Sequence, residues 1–211
     1  MHTRYSGHSL IYPHLLSKIA KRKGLDGVAI TDHETMRGCR HLKSTPDFWV
    51  IQGVEKMTNL GSVIGLFISE DIVANDFFEV ADAVHSQGGI LILPHPFDII
   101  RRDTFKAENL KKAIRQFDAI EVFNSRCLSN LFNKQARNMG NRLQMPMVAG
   151  SDAHFQCEIG NASTQFDCFN LEEIPSLIKK NNQSKWRTQG RLSSRFVHLP
   201  TLLARILPQK R

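Results

Sequence analysis

Asp152 and His154 stand two apart, directly after Val148-Ala149-Gly150-Ser151. An apolar run that gives way to polar residues reads as a buried parallel strand at its C-terminal edge, where α/β folds bind ligands. Residues two apart on a strand face the same side, and a carboxylate converging with an imidazole is metal-ligand chemistry. Taken alone, Asp-X-His also fits a helix-capping acid beside a packing histidine. Here the pattern recurs. Gly27–Ile30 runs into Thr31-Asp32-His33, Ile90–Leu93 runs into Pro94-His95-Pro96, and Phe48–Ile51 continues through Gly53 to Glu55. His2 and His8 sit in a polar leading loop. Mixed imidazoles and carboxylates suit Zn, Mn or Fe(II). More donors than one ion needs suggests a cluster, and a carboxylate bridging two ions about 3.5–4 Å apart is an arrangement used for phosphate-ester hydrolysis.

These residues require elements that deliver them to one edge. Helical spacing is expected over Ile11–Lys23, with Pro13 in its first turn and Gly24 as its stop. It recurs over Phe77–Gln87 before Gly88-Gly89, over Leu110–Phe117 and over Leu128–Met139. Leu171–Lys180 follows Asn170, with Glu173 in capping-box register. Strands are expected at Gly27–Ile30, Phe48–Glu55, Val63–Ile68, Ile90–Leu93, Ala119–Phe123 and Pro146–Ala149. Short apolar strands alternating with helices argue parallel α/β, as a barrel or an open doubly wound sheet.

The 211 residues suffice for one sizeable core and at most two domains. Apolar content of 41% and charged content of 23% are those of a globular protein. The net charge of +8 permits an anionic partner. No apolar run approaches the roughly 18 residues of a membrane span, and the stretch from Met1-His2-Thr3-Arg4 lacks the long apolar core expected of a signal peptide. Cys39, Cys127, Cys157 and Cys168 form no C-x-x-C pair, so a reducing cytoplasm is expected. His14, His41, His85 and His198 read as core or surface residues. Residues 1–180 read as one domain and 181–211 as a basic tail. Leu199, Leu202, Leu203, Ile206 and Leu207 form a short amphipathic stripe in that tail, read first as a helix on the domain's flank.

The ordered motifs resemble the PHP (polymerase and histidinol phosphatase) superfamily. They are Met-His-Thr-Arg-Tyr-Ser-Gly-His-Ser from Met1, Ala-Ile-Thr-Asp-His to His33, Gly-Val-Glu to Glu55, Leu-Pro-His-Pro around His95, Glu-Val-Phe-Asn to Asn124 and Gly-Ser-Asp-Ala-His to His154. The resemblance runs from Met1 to about Phe155. It implies a distorted (βα)7 TIM-like barrel, up to three divalent metal ions (Zn, Mn or Fe) and phosphoesterase activity. It assigns His2, His8, His33, Glu55, His95, Asp152 and His154 as metal ligands, with Glu55 bridging. His95, Glu55 and Asp152 form the catalytic core, and His8, His33 and His154 one complete metal position. Glu121 and Asn124 would line the wall, and Asn124 and Arg126 would contact substrate.

Two departures accompany the resemblance. Met1 occupies the X of the opening His-X-His, so the first histidine would fall one residue earlier. The apolar strand that normally precedes it is not present either, which reads as a start set too late or a lost strand. Ser62 stands where the family carries a histidine. Two metal positions are thus each short of one expected ligand. The leading expectation is a metal-dependent phosphoesterase acting on a nucleotide, an oligonucleotide or a small phosphorylated metabolite. The alternative is a catalytically degenerate PHP-like module binding nucleic acid through residues after Asn181. A related-barrel amidohydrolase ranks last.

Overall fold

The structure, a computed structural model, describes residues 1–168 and 170–180 and the backbone of 185–188. The chain opens with a loop and α1 (Pro13–Arg22), followed by β1 (Gly27–His33), β2 (Trp49–Met57) and β3 (Ser62–Leu66). Then come α2 (Phe77–Ser86), β4 (Ile90–Leu93), α3 (Ala107–Ala113), β5 (Ala119–Asn124), α4 (Asn130–Leu143) and β6 (Met147–Gly150). A small antiparallel pair, β7 (Ala162–Gln165) and β8 (Lys185–Thr188), flanks α5 (Ile174–Lys179). Pro13 takes the first turn of α1, where its missing N–H costs nothing. Asp76 accepts from the Phe78 and Glu79 N–H groups to cap α2. Asn170 accepts from Glu173 N–H, the first half of the expected capping box, but it is the Asn170 side-chain amide and not its backbone N–H that donates to the Glu173 carboxylate.

The six main strands form one sheet in the order β1-β2-β3-β4-β5-β6. Strand pairs β1–β2, β4–β5 and β5–β6 are parallel, but β3 runs antiparallel to both neighbours. The all-parallel expectation is corrected here. The turn between Met57 and Ser62 is too short for a crossover, so β3 must return as a hairpin. A mixed α/β architecture results, and a complete seven-strand barrel is not formed among the described residues. The sheet curls until its edges approach. His2 N–H donates to Ala153 O at 2.9 Å beyond β6, and Thr31 N–H of β1 donates to Met1 O at 2.9 Å, so Met1 and His2 bridge the two edges.

Both faces of the sheet are buried. Along β4, Leu91 and Leu93 pack with Phe77, Val80 and Val84 of α2. Ile90 and Ile92 point the other way, into a cluster with Ile174 and Ile178 of α5. Leu16 and Ala20 of α1 cover Val28 and Ile30 of β1. Lys185–Thr188, read from sequence as linker or tail, instead adds a strand to β7. The stripe expected at Leu199–Leu207 lies outside the described residues. Among those described, no helix is long and apolar enough to cross a membrane.

Candidate metal centre

The curl carries His33, Glu55, Asn124 and the residues following β4 and β6 to one edge. Because β3 is reversed, its first residue, Ser62, starts at that same edge, opposite Met57. Glu55 sits between two imidazoles. Its Oε2 lies 3.1 Å from His2 Nε2 and its Oε1 lies 3.4 Å from His95 Nε2. His2 Nε2 also lies 3.0 Å from Asp152 Oδ1. Donor atoms of His2, His33 and His154 come within 4.8 Å of one another, as do those of His2, Glu55 and Asp152, and those of Glu55, His95 and Asp103. His2 joins the first group to the second, and Glu55 joins the second to the third. The His8 ring stands 5.0 Å from that of His33 and 4.9 Å from that of His154, beside the first group. The geometry therefore places His2 with the pair expected to join His8.

The leading loop is fixed by Asp32, which is fully buried. Its carboxylate accepts from Thr3 N–H at 2.5 Å, Thr3 Oγ1 at 2.6 Å and Ser6 Oγ at 2.8 Å. Gly38 lies against this carboxylate so closely that a Cβ would stand 1.9 Å from Asp32 Oδ2. Ser6 spends its proton on Asp32, so its oxygen accepts from His33 N–H at 3.0 Å and from His2 Nδ1 at 3.2 Å. His2 Nε2 then faces two carboxylates and requires either a proton or a cation between them. Burial opposes the proton, but hydrogen bonds to Asp152 and Glu55 outweigh it and raise the His2 pKa. Burial likewise opposes charge on Glu55 and on Asp152. The positive field of His33 and bonds from His2 and His95 hold Glu55 well below the carboxylate range. Arg101 and His2 do the same for Asp152.

His154 Nδ1 donates to the Asp152 carbonyl at 2.8 Å, which assigns the lone pair to Nε2. That buried Nε2 has no hydrogen-bond partner, nor has His95 Nδ1. Buried polar atoms are almost always paired, so nitrogens of this kind amid carboxylates fit a metal-binding set. Burial drives the pKa of His154 well below its usual value and also lowers that of His33. Both shifts favour the neutral imidazole, the form that ligates, over the protonated one. His95 and Asp152 hold left-handed backbone at φ 27° and 49°. Such strain costs about 1–3 kcal/mol and concentrates where side chains must be aimed.

Glu121 accepts from His95 N–H at 2.8 Å and from Asn124 Nδ2 at 3.0 Å. Asn124 Nδ2 also reaches Asp152 Oδ2 at 3.4 Å. Arg126 is buried under the edge, its Nη1 3.4 Å from Glu158 Oε2. Sequence reasoning passed over the loop after His95. From it the buried Arg101 donates to Asp98 Oδ2 at 3.0 Å through Nε and to Asp152 Oδ2 through Nη2. His14 and His41 are exposed, and His85 pairs with Asp118 at 3.0 Å. His198 lies outside the described residues.

A family model described as PHP-associated matches residues 130–182. The uncharacterized protein MJ0417 of Methanocaldococcus jannaschii is 40% identical over 146 residues, which is 67% of this chain and 62% of that protein. The chain thus spans less than two thirds of that relative. The uncharacterized protein MJ1587 of the same organism is 36% identical over 152 residues, 65% of this chain and 86% of that protein. Among solved structures, a two-domain Bacteroides vulgatus protein containing a predicted PHP-like metal-dependent phosphoesterase superposes with a TM-score of 0.67 at 19% identity. That match covers 90% of this chain and 63% of the other. A candidate metal-dependent phosphoesterase of Bifidobacterium adolescentis gives 0.60 at 16% identity, covering 72% and 85%. An amidohydrolase of Chromobacterium violaceum with bound sulfate gives 0.61 at 12% identity, covering 84% and 94%. Identities this low establish a shared fold.

Proposed function

We propose that this chain, a member of the PHP superfamily, is a divalent-metal-dependent phosphoesterase acting on a nucleotide, an oligonucleotide or a small phosphorylated metabolite. The observation that carries this reading is Glu55, whose two oxygens face different imidazoles, His2 at 3.1 Å and His95 at 3.4 Å. A carboxylate so placed suits a bridge between neighbouring ions. His2, His33 and His154 would hold one ion, with His8 beside them, and Glu55, Asp152 and His95 would complete the cluster. Bound Zn²⁺, Mn²⁺ or Fe²⁺ would supply Lewis acidity and lower the pKa of a water molecule.

The protein's own residues supply the rest. Arg101 pairs with both Asp98 and Asp152 and so reduces the negative charge that these buried carboxylates would present to an anionic substrate. Glu121 and Asn124 orient His95 and Asp152 from behind, which is how outer partners aim ligands. Arg126 is engaged by Glu158 and would tie the post-β6 loop in place. We read the six-strand curl as the greater part of the superfamily's seven-strand barrel, closed by the Met1–His2 bridge.

The test is phosphate release from aryl phosphate mono- and diesters and from nucleotides by Mn²⁺- or Zn²⁺-loaded protein. Activity should appear with metal and vanish in His33→Ala and Asp152→Ala. Turnover unchanged by both substitutions would sink the reading.

A further inference from the structure

Ser62 stands where the superfamily resemblance calls for a histidine, and a hydroxyl is a poor ligand for these ions. The structure brings another donor to that place. The side chain of the half-buried Asp103 comes within 4.8 Å of donor atoms of both Glu55 and His95. We propose that Asp103 takes over the role of the displaced histidine and completes a metal position with Glu55 and His95. This inference rests on the metal-dependent reading above and deepens it.

Asp103 is not a stray acid on a loop, because three contacts with the start of β3 place it. Ser62 N–H donates to the Asp103 carbonyl at 2.7 Å. Ser62 Oγ donates to Asp103 Oδ2 at 3.0 Å. Two residues on, the Phe105 ring lies against Gly61, where a Cβ would come 2.4 Å from Phe105 Cδ2. Only a glycine admits the ring that closely, and Gly61 also holds φ 150°. Phe105 is anchored in the main core, edge-on to Phe77 at 5.6 Å and to Phe117 at 5.6 Å. Inside the loop, Thr104 Oγ1 donates to Asp98 O at 2.8 Å.

The Gly61-Ser62 pair therefore works as a platform. A histidine at 62 would offer its own nitrogen. Serine instead is short, leaves room for the 94–105 loop to fold over it, and turns its hydroxyl into the outer partner of the incoming carboxylate. The exchange also changes the chemistry of the position. Two carboxylates and one imidazole form a harder and more negative donor set than one carboxylate with two imidazoles, which favours Mn²⁺ over softer ions.

The experiment is Mn²⁺ titration of the full chain and of Asp103→Asn, followed by calorimetry and by electron paramagnetic resonance of free Mn²⁺. Anomalous diffraction from wild-type crystals grown with MnCl₂ locates the ions. Asn is nearly isosteric and can still accept from Ser62. The expected result is weakening of one Mn²⁺ equivalent by at least about 100-fold, with the far-UV circular dichroism of the metal-free protein unchanged. The anomalous map should show an ion bonded to Glu55 and Asp103. An Asp103→Asn isotherm that overlays wild type, or an ion on Glu55 and His95 that Asp103 does not touch, overturns the assignment and leaves the phosphoesterase reading standing. Mn²⁺ bonded to Asp103 without any phosphate release does the opposite. Wild type that takes up no Mn²⁺ overturns both. Should Asp103→Asn fail to fold, the wild-type map decides alone.

Discussion

The Glu121 carboxylate accepts the backbone N–H of His95 at 2.8 Å and so pins a residue at φ 27°. A left-handed backbone at a bulky side chain persists only when its surroundings over-determine it. Glu121→Gln can keep an oxygen in this place, whereas Glu121→Leu removes the acceptor. We expect Mn²⁺ affinity to fall about 10–100-fold in Glu121→Leu and much less in Glu121→Gln. Isotherms for the two variants check this, and equal affinities would remove Glu121 from the design.

Gly38 faces Asp32 where no Cβ fits. Gly38→Ala should push the carboxylate off Thr3 and Ser6 and loosen the loop that carries His2 and His8. The loss of these buried hydrogen bonds should cost about 3 kcal/mol. That corresponds to a fall in Tm of about 6–12 °C for a chain of this size. Differential scanning calorimetry of the metal-free protein reads it, and an unchanged Tm would mean the loop has an easy alternative path.

Arg101 holds two buried carboxylates, Asp98 and Asp152. Arg101→Met leaves both without their cation, a loss of about 3–5 kcal/mol for a buried pair. The same variant should lower kcat/KM for phosphate esters by at least about 100-fold. Arg101→Lys should recover stability better than activity, since one ammonium cannot serve both partners in the fork geometry. A variant with full activity would contradict the charge role given to Arg101.

Metal removal offers a separate check. Ions that bind only the native state raise stability by mass action, about 2.7 kcal/mol per site at a hundredfold excess over Kd. Chelation should therefore lower Tm reversibly, with Mn²⁺ restoring it. A Tm indifferent to chelator would argue against any native ion.

The cysteines report on the fold itself. Burial pushes the Cys39 thiol up to about 11 and also raises Cys127, whereas Cys157 is exposed. A disulfide reagent at neutral pH should modify Cys157 quickly, the half-buried Cys127 slowly and the buried Cys39 only on unfolding. Rapid modification of all four in native protein would contradict the packing around β1 and β5.

Strand ends were readable because apolar runs stop where chemistry begins. His33, His95, Asp152 and His154 were visible this way, and the structure brings them to one edge. The reversal of β3 was also encoded, in the shortness of the 58–61 turn, but periodicity alone does not state strand direction. Arg101 and Asp103 were missed because they lie in a loop without hydrophobic rhythm. Their importance comes from tertiary return of that loop onto Asp152 and Ser62. Lys185–Thr188 was hidden for a different reason: four residues between polar neighbours, Asn181–Ser184 and Gln189, are too few to show alternation.

The bridge made by Met1 and His2 gives the two ends of the cluster different folding reach. Glu55, His95 and Asp103 come from one contiguous middle stretch, so that position assembles with short loop closures. The histidine position needs both ends of the domain at once. Ser9, for instance, hydrogen-bonds the His154 carbonyl across 145 positions of sequence. Partial opening that frees the leading loop would dismantle the histidine position and spare the other. Under denaturant, an ion held by the histidine position would be released before one held by Glu55, His95 and Asp103.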